Sequence, residues 1–134
     1  MSQDNVEIVR QGNALLNAGD WDALLQLYHC DVEFCDLRSA VDTPQTLKGA
    51  DAVHALLIAW SEAWDNFGSE ISEYIDADPQ VICDTRWYGT GRESNVPIDV
   101  RQADIYELLD GRVVRATLGY PTVADALDAL GLTK

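Results

Sequence analysis

Positive charge is what this sequence has least of. Nine Lys and Arg stand against 23 Asp and Glu, for a formal net charge of −14. A nucleic-acid partner needs a basic patch to meet phosphate, and an anionic membrane surface needs the same, so neither is expected as a partner. Long apolar runs are also missing. No stretch approaches the roughly 20 residues that span a bilayer, and the polar start MSQDNVEIVRQ does not resemble a cleaved leader. The expected location is therefore cytoplasmic. Cysteine is scarce and odd in number. Cys30, Cys35 and Cys83 have no framework spacing, which suits free thiols in a reducing compartment. His29, Cys30 and Cys35 lie close together in HCDVEFC, but no fourth ligand has zinc-site spacing, so no metal is expected. There is no Gly-rich phosphate loop, nucleophile elbow or Cys–His dyad, and no cofactor is expected.

What is present is an ordinary globular composition: 134 residues, 47% hydrophobic and 24% charged. Repeats and low-complexity linkers are absent, so residues 1–134 are read as one domain. Ile8, Val9, Gly12, Leu15 and Leu16 share a helical face that ends at NAGD. Asp20 then caps a second helix, on which Trp21, Leu24, Leu25 and Tyr28 recur at helical spacing. His29 would follow at that helix's C-terminus, where its cation suits the dipole. A strand over residues 31–37 precedes a turn-rich segment around Pro44 and Gly49. A longer helix carries Val53, Leu56, Leu57, Trp60 and Trp64 on one stripe. From Phe67 the period changes to two. The late strands include a hairpin turning at Asp110-Gly111, and a closing helix runs from Thr122 to Gly131. Early helices and late antiparallel strands predict an α+β fold, a cone-shaped curved antiparallel sheet packed against helices and enclosing a pocket.

Alternation also sorts the polar residues. Val32, Phe34 and Asp36 fall on one face of the first strand, which aims a carboxylate into apolar surroundings. Ile98, Val100, Gln102, Asp104, Tyr106 and Leu108 share the more apolar face of a later strand. The next strand is expected to bury Val114, Ala116, Leu118 and Tyr120. Two carboxylates on apolar faces of different strands are what proton transfer next to a carbonyl requires. Trp60, Trp64 and Trp87 would wall the same pocket. On the outer sheet face, Arg86, Tyr88, Arg101, Ala103, Ile105, Val113 and Arg115 mix apolar and charged character, which suggests an isologous homodimer.

The stretches ALLNAGDWDALLQLYHCDVEF and LLDGRVVRATLGYPTVADALDALGL resemble the SnoaL-like branch of the nuclear transport factor 2-like superfamily. Ketosteroid isomerases, polyketide cyclases and limonene-epoxide hydrolases are relatives in that superfamily. The resemblance implies a cone-shaped fold with an internal pocket, and commonly a homodimer through the outer sheet face. In ketosteroid isomerases the general base is an Asp at the end of the first strand, and Asp36 matches it by count from Asp31. The second acid matches Asp104. The third member is a first-helix Tyr, where this chain has Gly12. The epoxide-hydrolase pattern departs at Tyr88 and Leu118, and the cyclase acid entering the last helix is replaced by Pro121.

These readings converge on a pocket for a small hydrophobic molecule. If it is catalytic, Asp36 is the base, Asp104 or Tyr106 stabilises the enolate, and Gln102, Trp60, Trp64 and Trp87 contact substrate. The reaction would then be a cofactor-independent isomerisation, cyclisation or dehydration. A non-catalytic ligand-binding domain, and a domain acting through its dimer surface, remain open beside it.

Overall fold

The apolar stripe of the first segment folds as α1 (Ser2–Ala18) in a computed structural model that describes residues 2–38 and 45–132. Gly19, at φ +72°, turns the chain, and Asp20 accepts the Ala23 backbone N–H at 3.3 Å to open α2 (Trp21–Leu25). Then come β1 (Tyr28–Asp36), β2 (Gln45–Lys48), α3 (Ala50–Ala63), β3 (Trp64–Ala77), β4 (Gln80–Gly91), β5 (Pro97–Leu109), β6 (Arg112–Tyr120) and α4 (Val123–Ala129). The turn expected around Pro44 lies outside the described residues. Tyr28 and His29 are corrections. The second helix ends at Leu25, and both residues belong to β1, where Tyr28 pairs with Val113. Helical spacing over one turn cannot tell a helix end from a strand start.

The six strands form one curved sheet in the order β2-β1-β6-β5-β4-β3. Strands β3 to β6 run as an antiparallel meander, and its last hairpin, turning at Asp110-Gly111, lies at the centre of the six-stranded sheet. The sheet is mixed rather than wholly antiparallel. Because β1 joins the far end of the meander, it meets β6 in parallel, with Asp36 level with Leu118. Among the described residues no helix is long and apolar enough to cross a membrane.

The inner face of the sheet carries the main core, where Val32, Phe34, Val53, Leu57, Val81 and Ala116 are buried beneath the first three helices. A side-chain amide fastens α1 to β3. Asn17 donates to the Ser69 carbonyl and accepts the Ser69 N–H, both at 2.8 Å, so a side chain continues the strand's ladder. Gly68 makes this approach possible, since a Cβ there would lie 2.8 Å from Asn17 Oδ1.

The outer face is not open throughout. Helix α4, capped by the Thr122 hydroxyl on the Asp125 N–H at 3.1 Å, packs Ala126 against Ile82, Ala103 and Ile105. Ala103 and Ile105 are thus covered within the chain, and Val113 is buried in the inner core. The apolar half of the expected outer-face patch is therefore absent. What remains exposed is a charged ladder: Arg86 bonds Glu70 at 2.7 Å and Asp99 at 2.8 Å, and Arg101 reaches Asp84 at 3.2 Å. Register shifts explain the phase errors. One lies between Glu107 and Leu108 and exchanges Val114 for Val113; another, between Ala103 and Asp104, turns Tyr120 outward onto α4.

Gly119 sits at that second irregularity with φ +105°, and a Cβ on it would lie 2.7 Å from Arg38 Cγ. Replacing Gly119 with Ala should destabilise the protein by about 1–3 kcal/mol in denaturant unfolding, mostly from the backbone conformation. A loss below about 0.5 kcal/mol would show that the bulge is not under this constraint.

Candidate functional site

Strand β1 ends at Asp36, whose carboxylate accepts the backbone N–H of Arg38 at 3.0 Å. This local turn holds the side chain on the Val32/Phe34 face, half-buried, as alternation predicts. Four aromatic side chains gather beside it. The last turn of α3 supplies Trp60, and the helix passes straight into β3, which supplies Trp64 and Phe67. Trp87 comes from β4. Ring centroids lie 5.6 Å apart for Trp60 and Phe67, 5.7 Å for Phe67 and Trp87, and 6.0 Å for Trp60 and Trp87. Such pairs add roughly 0.5–1.5 kcal/mol each beyond the area they bury, so the wall is stiff. Together with Arg38, Gln102, Ile98, Val100 and Leu118, these residues enclose a pocket of about 270 Å³.

Asp104 stands directly behind this wall. It is fully buried, opposite Cys83 on β4 and Leu118 on β6. Three N–H groups from three strands converge on it. Trp87 Nε1 donates to Oδ2 at 2.9 Å, and Gln102 Nε2 and the Gly119 N–H donate to Oδ1 at 2.7 and 3.1 Å. The indole and backbone donors cannot accept, so the site is built for a carboxylate. Burial, the largest influence, pushes the Asp104 pKa up to about 6, while the bonds from Trp87, Gln102 and Gly119 and the nearby Thr85 hydroxyl pull it down. Asp104 is therefore mostly ionised at neutral pH and holds Trp87 and Gln102 in place from behind.

Tyr106 lies elsewhere. It borders a small inner cavity of about 30 Å³, room for about one or two waters, together with Gly12, Asn13, Tyr28 and Val113. Trp87 lines both hollows and forms the partition between them. Burial and the Asp104 charge push the Tyr106 and Tyr28 hydroxyls up, so both stay protonated. Cys83 is likewise raised by burial and then by Asp104. The structure thus brings Asp36, Gln102, Trp60, Trp64 and Trp87 to one pocket, places Asp104 against two of them, and sets Tyr106 in the neighbouring cavity.

Phe67 and Arg38 line the pocket without a sequence argument having singled them out. Phe67 lies within an irregular register between Asp65 and Gly68, which hides its phase. Arg38 follows the strand end in a segment that carries only turn signals. For a metal, His29, Cys30 and Asp31 offer donor atoms within 4.8 Å of one another. One of them, His29 Nδ1, already accepts the Asp31 N–H at 3.0 Å, and none lines the pocket. Among the described residues no fourth donor joins these three, and a structural zinc site is built from four.

Comparison with known proteins agrees with this architecture. Residues 9–116 match the family model described as a SnoaL-like domain. No curated protein matches the sequence. Among solved structures, a Catenulispora acidiphila protein with a ketosteroid isomerase-like fold, crystallised with trimethylamine, has a TM-score of 0.76 at 18% identity, covering 95% of this chain and 94% of its own. A nuclear transport factor 2-like protein from Burkholderia xenovorans has a TM-score of 0.74 at 21% identity, over 88% and 89% of the two chains. A Mycobacterium tuberculosis protein in complex with estradiol-17β-hemisuccinate has a TM-score of 0.73 at 15% identity, over 86% and 92%. At these identities the likeness is one of fold.

The raised pKa of Asp104 has a signed consequence. Between pH 4 and 6 the folded state holds a proton that the unfolded chain, with the ordinary value of 3.8, has released. Stability contributed by this residue therefore falls as pH rises through that window, by about 3 kcal/mol in all. The Tyr28, Tyr106 and Cys83 groups facing it stay neutral there. The stability difference between wild type and Asp104→Asn should shrink or reverse by about that amount from pH 4 to 7. A difference that is flat, or that grows with pH, would contradict the assignment.

Proposed function

The chain belongs to the SnoaL-like domain family, and we propose that its pocket binds a small, predominantly apolar molecule, with Asp36 placed to exchange a proton with it. One observation carries the reading: a hollow of about 270 Å³ is walled by Trp60, Trp64, Phe67 and Trp87 and receives a half-buried carboxylate. Small-molecule sites combine an apolar wall with a few placed polar groups in this way. The trimethylamine and estradiol hemisuccinate complexes of the two fold neighbours support binding of small molecules in such a fold.

The carboxylate favours a finer reading, a cofactor-independent isomerase, cyclase or dehydratase. Asp36 takes a proton next to a carbonyl, and the Arg38 guanidinium, also on the pocket wall, balances the charge that develops on oxygen. Asp104, accepting three N–H bonds, has no proton to give when ionised. Its part is that of a positioning residue acting through Trp87 and Gln102. Tyr106 supports the partition from the inner cavity. A cytoplasmic setting accords with three free cysteines. A homodimer through the outer sheet face is the assembly that the family resemblance implies, and it would form on the part of that face which α4 leaves uncovered.

Two measurements test these readings. Aromatic carbonyl fragments should shift the indole N–H signals of Trp60, Trp64 and Trp87 in NMR titrations. Bound fragments should exchange hydrogen for deuterium next to the carbonyl, a rate that Asp36→Asn lowers by roughly 10²–10⁴-fold while binding persists. Binding without exchange would remove the catalytic reading and keep the pocket; absence of any indole shift would remove both. Light scattering at micromolar concentration should give twice the chain mass, and a monomer mass would refute the dimer.

A further inference from the structure

Gln102 is only 7% exposed, yet its amide makes a single hydrogen bond among the described residues, from Nε2 to Asp104 Oδ1. The orientation of a carboxamide is usually a matter of assignment. Here its neighbour decides. Trp87 Nε1 and the Gly119 N–H can only donate, so Asp104 accepts from both, and an ionised carboxylate can only accept from its third partner as well. The edge of Gln102 facing Asp104 must be its NH₂. Its carbonyl oxygen then points away from Asp104. No buried side-chain polar atom in the described residues lacks a partner, so this oxygen, which accepts nothing, is accessible. Of the two hollows that Gln102 borders, the aromatic pocket is the one on the inner face that Gln102 shares with Asp104.

We infer that Gln102 sets the specificity of the pocket: its carbonyl oxygen, held outward by Asp104, selects an apolar molecule that carries a hydrogen-bond donor, a hydroxyl or a protonated amine. The inference rests on the pocket reading above and adds the chemistry of its ligand. A molecule that offers only an acceptor there leaves a nearly buried carbonyl oxygen without a partner, and such a loss is costly. Any carbonyl on the ligand is left to Arg38, the exposed donor on the wall. Specificity of this kind, from a buried polar group that goes unpaired with the wrong ligand, discriminates better than an apolar wall can.

The test uses two probes of one shape, 1-indanol and 1-indanone, titrated into the protein and followed by the indole N–H signals. The alcohol can donate and the ketone cannot. Wild type should favour indanol by roughly tenfold or more. Gln102→Met, which keeps the size and removes both polar groups, should bring the ratio to about one. Asp104→Asn, whose single oxygen cannot accept from Trp87, Gln102 and Gly119 at once, should weaken the preference, because Gln102 is no longer held in one orientation. Should Asp104→Asn fail to fold, the Gln102→Met ratio decides alone. A ratio near one in wild type, or one that Gln102→Met leaves unchanged, would overturn the inference while the pocket stands. Failure of both probes to bind wild type at millimolar concentration would overturn the pocket reading and the inference with it.

Discussion

One fully buried carboxylate organises the middle of this protein. Asp104 lies where β4, β5 and β6 run side by side, and each strand sends it one N–H: the Trp87 indole, the Gln102 amide and the Gly119 backbone. An isolated ionised carboxylate in such a place would cost many kcal/mol, and three donors are what make it tolerable. Removing a single donor would leave the charge short of partners, so the three residues are bound to one another through it. The Gly119 contribution depends on a backbone conformation with φ +105° that glycine adopts readily. That same irregularity sends Tyr120 to the outer face, where it meets α4. A polar requirement in the core is thereby linked to the docking of the last helix.

The carboxylate also divides the interior. Trp87, fixed by its bond to Asp104, separates the pocket beside Asp36 from the small cavity beside Gly12. The resemblance to ketosteroid isomerases implies a tyrosine on the first helix, and Gly12 stands there. Hydroxyls are nonetheless present around the inner cavity, on Tyr28 and Tyr106, but on the far side of the partition from Asp36. The polar groups on the pocket wall are therefore Asp36, Arg38 and Gln102, a different set from the one the resemblance implies. On the other side of the sheet, salt bridges around Arg86 and Arg101 are exposed and add little stability individually. They make the part of the outer face that α4 leaves uncovered polar.

Much of this was legible in the sequence where one face of a strand or helix is clearly apolar. Alternation put Asp36 beside Val32 and Phe34, and put Gln102 and Asp104 on the inner face of β5. The Asp110-Gly111 turn, the Asp20 cap and the Thr122 cap follow from local backbone chemistry, which acts over a few residues and needs no tertiary knowledge. What was illegible arises from longer-range geometry. Bulges reset the phase of β6 and hid Phe67 on β3, and a two-residue periodicity cannot reveal an extra residue. The parallel pairing of β1 with β6 joins segments some eighty residues apart. Ala103 and Ile105 looked like an exposed apolar patch because nothing in their own strand shows that α4 returns to cover them. The dual burial of β5 from Gln102 to Ile105 is the mark of that cover.

The central claim is that Asp104 is a carboxylate bound at once by three donors from three strands. The direct measurement is a pH titration of the ¹H–¹⁵N NMR signals of the Trp87 indole, the Gln102 side-chain amide and the Gly119 backbone amide. All three should move together as the pH passes about 6, with the Trp87 indole proton downfield above that pH, where its partner is charged. Signals that titrate at separate midpoints, or a Trp87 indole indifferent to pH across this range, would show that the three groups do not share one buried charge.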